Sequence, residues 1–280
     1  MRNIPVSAVT EVVKSLCMEA NYFLGDDVLR LLRQCLGSEE SPLGREVLGQ
    51  IVENARIACD EKIPMCQDTG FSVVFLELGQ DVHLTDGDLM AAVHEGVRRG
   101  TKEGYLRSSI VRDPLRRVNT GDNTPAVVHV EIVPGDKIKI TVAPKGGGSE
   151  NMSEIKMLPP SAGVEGVREF VVDLIRRSGG NPCPPVIAGV GIGGTFEKCA
   201  WLAKKALLRP AGSPNPDPFY AELESDLLKR INGLGIGPMG FGGRCTALAV
   251  HVETHPCHIA SLPVAVNVQC HAARHREKVL

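Results

Sequence analysis

Three cysteines of the chain lie in short loops that are rich in proline, glycine or polar residues. Cys66 stands in IPMCQDTGF, Cys183 lies between prolines in NPCPP, and Cys270 follows an apolar stretch in NVQCHAAR. Taken singly, each fits either a metal ligand or a thiol packed at the end of an element. Three such cysteines on separate loops indicate a pocket where several elements meet, because zinc fingers use closely spaced pairs and the chain has no Cys-x-x-Cys.

Three thiolates also indicate a particular kind of cofactor. Clusters that carry electrons are usually closed by four cysteines. Three cysteines would leave one iron of a 4Fe-4S cluster open to a substrate oxygen, as a Lewis acid. Cys66, Cys183 and Cys270 therefore predict a catalytic cluster.

Two further polar loops separate apolar segments. In KGGGS, three successive glycines at 146–148 allow backbone amides to approach a carboxylate or phosphate, although a plain flexible turn fits the same residues. Because the lysine precedes the glycines, this is not a Walker A loop. In RVNTGDNTPA, we expect Asn119, Asp122 and Asn123 to fix a turn by bonding to their own backbone.

A G-x-G-x-x-G pattern formed by Gly189, Gly191 and Gly194 follows a short apolar run and precedes a helical pattern. A dinucleotide site would require a second strand that ends in an acidic residue about 20 positions later. A proline-rich loop occupies residues 209–218 instead. We therefore interpret the pattern as a glycine turn that packs a helix closely on a sheet.

The histidines allow an interpretation of another class. His251, His255 and Cys257 crowd one segment and fit a zinc-dependent hydrolase or a zinc-binding module. His258, in the loop before the last strand, is the better candidate for a substrate contact or proton relay. The remaining cysteines fall in or beside predicted elements, and we expect all of them to be packing thiols: Cys17, Cys35, Cys59, Cys199 and Cys245.

Composition limits the class of protein. The 280 residues are 43% hydrophobic, and 31 Lys and Arg against 33 Asp and Glu give a net charge of −2. These values predict a globular protein without a nucleic-acid-binding surface. No apolar run reaches the roughly 18 residues of a membrane span and no signal peptide is evident, so we expect a cytoplasmic protein.

The elements that must position these loops indicate an α+β fold, with an N-terminal helical layer followed by mixed sheets and packed helices. We treat 1–280 as one domain, with a possible division into 1–60 and 61–280. Alternating residues at 127–133 and 137–142 predict a β-hairpin joined by Pro134, Gly135 and Asp136. Other predicted strands are 71–78, 186–190, 246–252 and 262–268; predicted helices are 164–177 and 196–208, with a further helix after residue 218.

The segments IPMCQDTG, NTGDNTPA, KGGGSEN, NPCPP with IGGT, and QCHAAR resemble the iron-sulfur class I fumarate hydratases and the related L-tartrate dehydratases. The resemblance covers about residues 5–275 and the cluster-bearing α-subunit portion of that family. It implies that Cys66, Cys183 and Cys270 hold a 4Fe-4S cluster. It further implies a set of substrate-side residues: Gln67, Asp68, Arg107, Gly146, Gly147, Gly148 and His258, of which Asp68 and His258 would be catalytic.

The resemblance also implies the reaction and the partners. It predicts reversible hydration of fumarate to (S)-malate, a reaction of the tricarboxylic acid cycle, with L(+)-tartrate dehydration as the alternative. Because single-chain members have a further C-terminal portion, this chain is expected to need a β subunit that completes the site, in an α2β2 assembly. A non-catalytic iron-sulfur subunit is a third possibility.

Overall fold

The computed structural model describes residues 1–280. The chain divides into two compact units: unit 1 comprises Met1–Leu24, Asn54–Gly147 and Arg274–Leu280, and unit 2 comprises Gly25–Glu53 and Gly148–Ala273. Helices and mixed sheets confirm the predicted α+β class. The single-domain extent and the division near residue 60 stay predictions.

The α-helices are, in chain order, α1 (Val6–Tyr22), α2 (Asp26–Ser38), α3 (Pro42–Glu61), α4 (Leu89–Glu103), α5 (Gly147–Glu150), α6 (Gly163–Ser178), α7 (Phe196–Ala206) and α8 (Pro218–Asn232). Short 3-10 helices lie at Pro160–Ala162 and Pro238–Gly240. No helix combines the length and the apolar character that crossing a membrane requires.

The strands are β1 (Arg2–Pro5), β2 (Phe71–Gly79), β3 (Val82–Thr85), β4 (Val127–Val133), β5 (Ile138–Lys145), β6 (Glu154–Leu158), β7 (Val186–Gly193), β8 (Ala247–His255), β9 (Leu262–Gln269) and β10 (Arg276–Val279). Unit 1 contains a four-stranded sheet in the order β10-β5-β2-β4 and the pair β1-β3. Unit 2 contains a four-stranded sheet in the order β6-β9-β7-β8.

Helices α1 and α4 cover the four-stranded sheet of unit 1. The apolar residues of both helices recur at helical spacing, and Val9, Val13, Val93 and Val97 are fully buried in the core with the apolar residues of β5. Asp88 caps α4 by accepting a hydrogen bond from the Ala91 amide at 2.7 Å. This helical layer covers one face of the sheet and leaves the ends of the strands uncovered, where the loops lie.

The predicted hairpin is wrong in its pairing, although both of its strands exist. β2 lies between β4 and β5, parallel to β4 and antiparallel to β5. The consecutive residues 72–76 of β2 are all buried, and a strand buried on both faces belongs in the centre of a sheet. β4 exposes Val127, Val130 and Ile132, as an edge strand can.

The sheet of unit 2 has helices on both faces. Val186, Ala188 and Val190 of β7 lie in a core with α6 and α8. On the other face, a Cβ at Gly189 would lie 2.1 Å from the Ala203 carbonyl oxygen of α7, and one at Gly191 would lie 2.0 Å from the Cys199 carbonyl oxygen. The interpretation of the glycine pattern as a close helix contact is therefore confirmed.

The prediction of packing thiols is wrong for Cys35 and Cys245, because these two cysteines form a disulfide. Glu39, just after α2, accepts backbone hydrogen bonds from Arg244 at 2.9 Å and Cys245 at 3.1 Å. These bonds hold the end of α2 beside the start of β8, and the two cysteine Cα atoms lie 5.9 Å apart. The partners are 210 residues apart, so their pairing depends on the fold.

The packing prediction is confirmed for Cys17 and Cys199, which are buried in cores. Burial raises the pKa of the Cys17 thiol to about 12, which keeps it neutral at physiological pH. Cys59, by contrast, is exposed on α3. The packing prediction is therefore wrong for Cys59.

Candidate functional site

Several polar loops meet at one end of the strands of the four-stranded sheet in unit 1. β2, β4 and β10 begin at this edge and β5 ends there, because β5 is antiparallel to β2 and β10 while β4 is parallel to β2. We call it the unit-1 edge and define it by residues 66–70, 107–109, 119–125, 145–147 and 274. Three of the loops selected from the sequence therefore meet at one place.

Asp68 connects the loops of the unit-1 edge. Its Oδ1 accepts from the Gly70 amide at 3.1 Å, and its Oδ2 accepts from the Gly147 amide at 2.7 Å. Its own amide donates to Cys66 Sγ at 3.4 Å, and its carbonyl oxygen accepts from Arg274 Nη2 at 2.6 Å. The Gly147 amide that was predicted to hold a substrate carboxylate therefore holds the carboxylate of Asp68.

Thr69 and Arg107 hold a second pair of loops together. The Arg107 amide donates to Thr69 Oγ1 at 2.9 Å, and that hydroxyl donates to the Arg107 carbonyl oxygen at 3.2 Å. Thr69 is buried, whereas the side chains of Arg107 and Gln67 are exposed. Both residues predicted to contact substrate thus lie at this edge as exposed residues, and Gln67 Oε1 accepts from Cys66 Sγ at 3.4 Å.

Asn123 has a structural role, but it bonds to two other loops and not, as predicted, to the backbone of its own turn. Its Nδ2 donates to the Gly70 carbonyl oxygen at 3.1 Å, and its Oδ1 accepts from the Ser109 amide at 2.9 Å. Gly70 itself has a φ of 82° and approaches the Lys145 backbone, from which a Cβ would lie only 2.8 Å away. Only glycine fits this crossing between the loop and the end of β5.

Asn119 and Asp122 fix the turn, as predicted. Asn119 Oδ1 accepts from the Gly121 amide at 2.7 Å. Asp122 accepts from the Thr124 amide at 3.1 Å, the Thr124 hydroxyl at 2.7 Å and Arg98 Nε at 2.9 Å. Partial burial of Asp122 opposes ionisation, but these donors outweigh it and lower the pKa to about 2.

The unit-2 edge, defined by residues 180–185 and 269–271, carries the other two cysteines. β7 begins and β9 ends there, because the strands are antiparallel and pair Ile187 with Gln269. The His271 amide donates to the Cys183 carbonyl oxygen at 3.2 Å. Strand pairing therefore brings Cys183 and Cys270 together, both as half-buried thiols.

Neighbouring backbone supports the Cys183 loop. The Met239 amide donates to the Pro184 carbonyl oxygen at 2.7 Å, and the Cys183 amide donates to the Gly180 carbonyl oxygen at 3.1 Å. A Cβ at Gly240 would lie 2.7 Å from the Gly180 Cα, so the two glycines let these segments touch. Cys183 has a φ of 56°, which is uncommon for a residue with a side chain.

The alternative interpretation, a zinc site formed by His251, His255 and Cys257, is wrong. His251 is buried and its Nδ1 contacts the Ala206 carbonyl oxygen, whereas His255 is exposed at the end of β8. Four residues of strand separate these histidines by about 13 Å. No group of three or more His, Cys, Asp or Glu side chains in either unit is arranged as a metal site.

His258 is not at either edge described above. It lies exposed in the loop between β8 and β9, at the end of the unit-2 sheet where β7 finishes. The eight residues of β9 separate this loop from Cys270, a span of about 26 Å. An extended strand carries the two residues to opposite ends of the sheet. The catalytic role of His258 stays a prediction.

Sequence reasoning gave no role to Arg274, which is only 5% exposed at the unit-1 edge. It was part of the QCHAAR segment that carried the resemblance. The available signal was a single cation among small residues just before a strand, which does not show whether the cation is buried.

Comparison with known proteins assigns the family. The family model described as Fumarate hydratase (Fumerase) matches residues 10–279. The chain is 43% identical to a Methanocaldococcus jannaschii protein named provisionally as an L(+)-tartrate dehydratase subunit alpha, over 95% of each chain. It is 38% identical to the L(+)-tartrate dehydratase subunit alpha of Escherichia coli strain UTI89 and 37% identical to that of strain K12, in both cases over 96% of this chain and 89% of the relative. The chain therefore belongs to the fumarate hydratase (Fumerase) family of hydro-lyases.

Proposed function

We propose that the chain is the α subunit of an L(+)-tartrate dehydratase. The observation that carries this proposal is identity of 37–43% over nearly the whole chain to proteins whose names contain that activity. The sequence alone favoured fumarate hydration and kept tartrate as the alternative, and the names of the relatives favour the alternative. Fumarate hydration stays the second candidate because the matching family model has that description.

We further propose that Cys66, Cys183 and Cys270 hold a 4Fe-4S cluster. The donors fit: all three are half-buried thiols in loops, and Cys183 and Cys270 share one strand edge. The buried cysteines and the disulfide pair are committed to packing or to each other. When bound, the cluster supplies an iron with an open position that acts as a Lewis acid on substrate oxygens.

The polar groups of the unit-1 edge suit a dicarboxylate. Loss of water from L(+)-tartrate removes a proton beside a carboxylate and gives the enol of a 2-oxodicarboxylate, so negative charge grows on the carboxylate oxygens. We assign the exposed guanidinium of Arg107 to that carboxylate and the exposed amide of Gln67 to a substrate oxygen. Amides of glycines 146–148 stay candidate carboxylate contacts, although a substrate would replace Asp68 Oδ2 at the Gly147 amide.

We propose that a β subunit completes the site. The relatives are named subunit alpha, which supports a second kind of chain in the assembly. Asp68 uses both carboxylate oxygens as backbone acceptors, so we assign the main base to the partner and a supporting role to Asp68. An α2β2 stoichiometry is the corresponding proposal for the assembly.

The test is anaerobic assay of the chain co-purified with a β subunit. We expect a kcat/KM for L(+)-tartrate that exceeds those for fumarate and (S)-malate by about tenfold or more, since a site that hydrogen-bonds a substrate hydroxyl discriminates against analogues that lack that hydroxyl. The opposite preference would assign fumarate hydration. About four iron with matching sulfide per chain supports the cluster, whereas iron and sulfide both absent after anaerobic reconstitution would reject it.

A further inference from the structure

Arg274 is a buried cation with incomplete hydrogen bonding. Its Nη2 donates to the Asp68 carbonyl oxygen at 2.6 Å. Its Nε and Nη1 are buried, and neither has a partner in the protein. The guanidinium therefore has donors to spare at the unit-1 edge.

This arrangement is unfavourable for the chain alone. A guanidinium keeps its charge inside proteins, and a buried charge without a counterion is costly. No carboxylate forms an ion pair with Arg274, and the carboxylate of Asp68 accepts from Gly70 and Gly147 amides. Arg209 shows the usual solution, since it pairs with Glu224 at 2.6 Å and also donates to the Ser213 carbonyl oxygen.

The position of Arg274 indicates which loop it serves. It lies two residues before β10, and the bond from Nη2 reaches the residue two positions after Cys66. The Asp68 amide in turn donates to Cys66 Sγ. A change at position 274 therefore acts on the Cys66 loop through one carbonyl oxygen.

We propose that Arg274 is a positioning and anion-binding residue: Nη2 holds the Cys66–Asp68 loop, and Nε and Nη1 donate to an anionic sulfur or oxygen that the chain does not supply. This inference rests on the proposed function, which offers two sources for that acceptor. One is the cluster with its thiolates, and the other is a carboxylate of the substrate. Arginine suits both, because its planar fork binds soft and hard anions through several N–H groups.

The test compares Arg274→Gln and Arg274→Lys with the matched control Arg276→Gln, in the complex with the β subunit. Arg276 lies on the same segment and donates to the Phe23 carbonyl oxygen, but it is outside the unit-1 edge network. Iron and sulfide per chain are measured before and after a fixed exposure to a chelator. Values of kcat and KM for L(+)-tartrate are measured on the portion that retains the cluster.

If the acceptor is the cluster, Arg274→Gln loses iron to the chelator about tenfold faster than the wild-type complex, as expected for groups that support metal ligands. If it is a substrate carboxylate, cluster loss is unchanged and KM rises about tenfold, which is the loss of one charge-assisted contact. Arg274→Lys should recover part of either effect, because it keeps the charge and loses the fork. Arg276→Gln should change neither quantity.

Wild-type cluster retention and wild-type KM in both Arg274 variants would overturn the inference while leaving the proposed function intact. Absence of cluster and activity in the wild-type complex itself would reject the proposed function instead. Should Arg274→Gln fail to fold, the comparison of Arg274→Lys with wild type decides. The alkylation rate of Cys66 in the cluster-free chain is a further readout, and an unchanged rate in folded Arg274→Lys would contradict the positioning role.

Discussion

The unit-1 edge and the unit-2 edge hold their cysteines by different means. At the unit-2 edge, the main-chain pairing of β7 with β9 brings the Cys183 and Cys270 loops together. At the unit-1 edge, side chains donate to or accept from the backbone of neighbouring loops, with Asp68 in the centre of the network.

The difference teaches where each edge is vulnerable. A strand ladder depends little on the identity of single side chains, but it requires the sheet to pack correctly against its helices. A network of side-chain bonds fails when one polar group is removed, and it leaves other polar groups near a solvent-accessible surface. This difference supports the proposal that the unit-1 edge recognises a polar substrate and that the unit-2 edge fixes two of the three cysteine ligands.

Replacing a proposed ligand should have the largest effect and should be equal at the two edges. In Cys66→Ser, Cys183→Ser and Cys270→Ser, we expect iron to fall from about four per chain to near zero, together with the brown absorbance around 400 nm. Activity should fall to background. Cys59→Ser, at an exposed position on α3, is the control and should retain cluster and activity. A full cluster in any one of the three variants would remove that cysteine from the ligand set.

A glycine substitution should break the packing on which the unit-2 edge depends. In Gly191→Ala, the new Cβ would lie 2.0 Å from the Cys199 carbonyl oxygen, so α7 must move away from β7. We expect the free energy of unfolding, measured by urea denaturation, to fall by about 3 kcal/mol. In Gly49→Ala of α3, no neighbouring atom would lie within 4 Å of the new Cβ, so the free energy of unfolding should instead rise by about 0.5–1 kcal/mol. Equal stability of the two variants would contradict the close helix contact.

Removal of the Asp68 carboxylate should loosen the unit-1 edge with a smaller cost. Asp68→Ala leaves the Gly70 and Gly147 amides without their acceptor, and we expect a loss of about 1–2 kcal/mol in the free energy of unfolding. Asp81→Ala, at an exposed position in unit 1, should have little effect. Faster hydrogen exchange of the Gly70 and Gly147 amides in Asp68→Ala would locate the change, and unchanged exchange would contradict the network.

The smallest effect concerns pH at the unit-1 edge. The pKa of Asp122 is lowered from its usual 3.8 to about 2 in the folded chain, so the ionised carboxylate stabilises the fold above pH 4 and this contribution is lost as the pH falls toward 2. Because Asp122 is partly exposed, we expect Asp122→Asn to reduce the free energy of unfolding by about 1 kcal/mol at pH 7. The difference from wild type should shrink below pH 4 and be small near pH 2. A difference that is the same at both pH values would assign the effect to packing.

Local sequence patterns predicted where the strands lie in the chain better than they predicted which strands pair. The strands near 71–78, 186–190, 246–252 and 262–268 are present because alternation and apolar runs are properties of short segments. The pairing of β4 with β2 was missed, since pairing depends on which strand has two buried faces in the finished sheet. The short connection between β4 and β5 favoured a hairpin, but it could not show that β2 lies between these two strands.

The candidate site shows the same distinction between what short segments predict and what the finished fold decides. Cysteines in polar loops and the turn residues around Asn123 were recognisable from their neighbours in sequence. The position of His258 was not recognisable in this way, because eight residues of strand carry it to the opposite end of the sheet from Cys270. The Cys35–Cys245 disulfide and the burial of Arg274 involve contacts over 206 residues or more, beyond the reach of local patterns.

The sequence by itself determined the types of element, the family and the residues capable of binding metal or a carboxylate, since these are written in composition, periodicity and short motifs. Only the tertiary structure decided that Asp68 joins the loops of the unit-1 edge and that Arg274 is a buried cation without a counterion. The physical reason is that burial and hydrogen-bond partners are properties of segments brought together from distant parts of the chain, and each segment carries only half of every such contact.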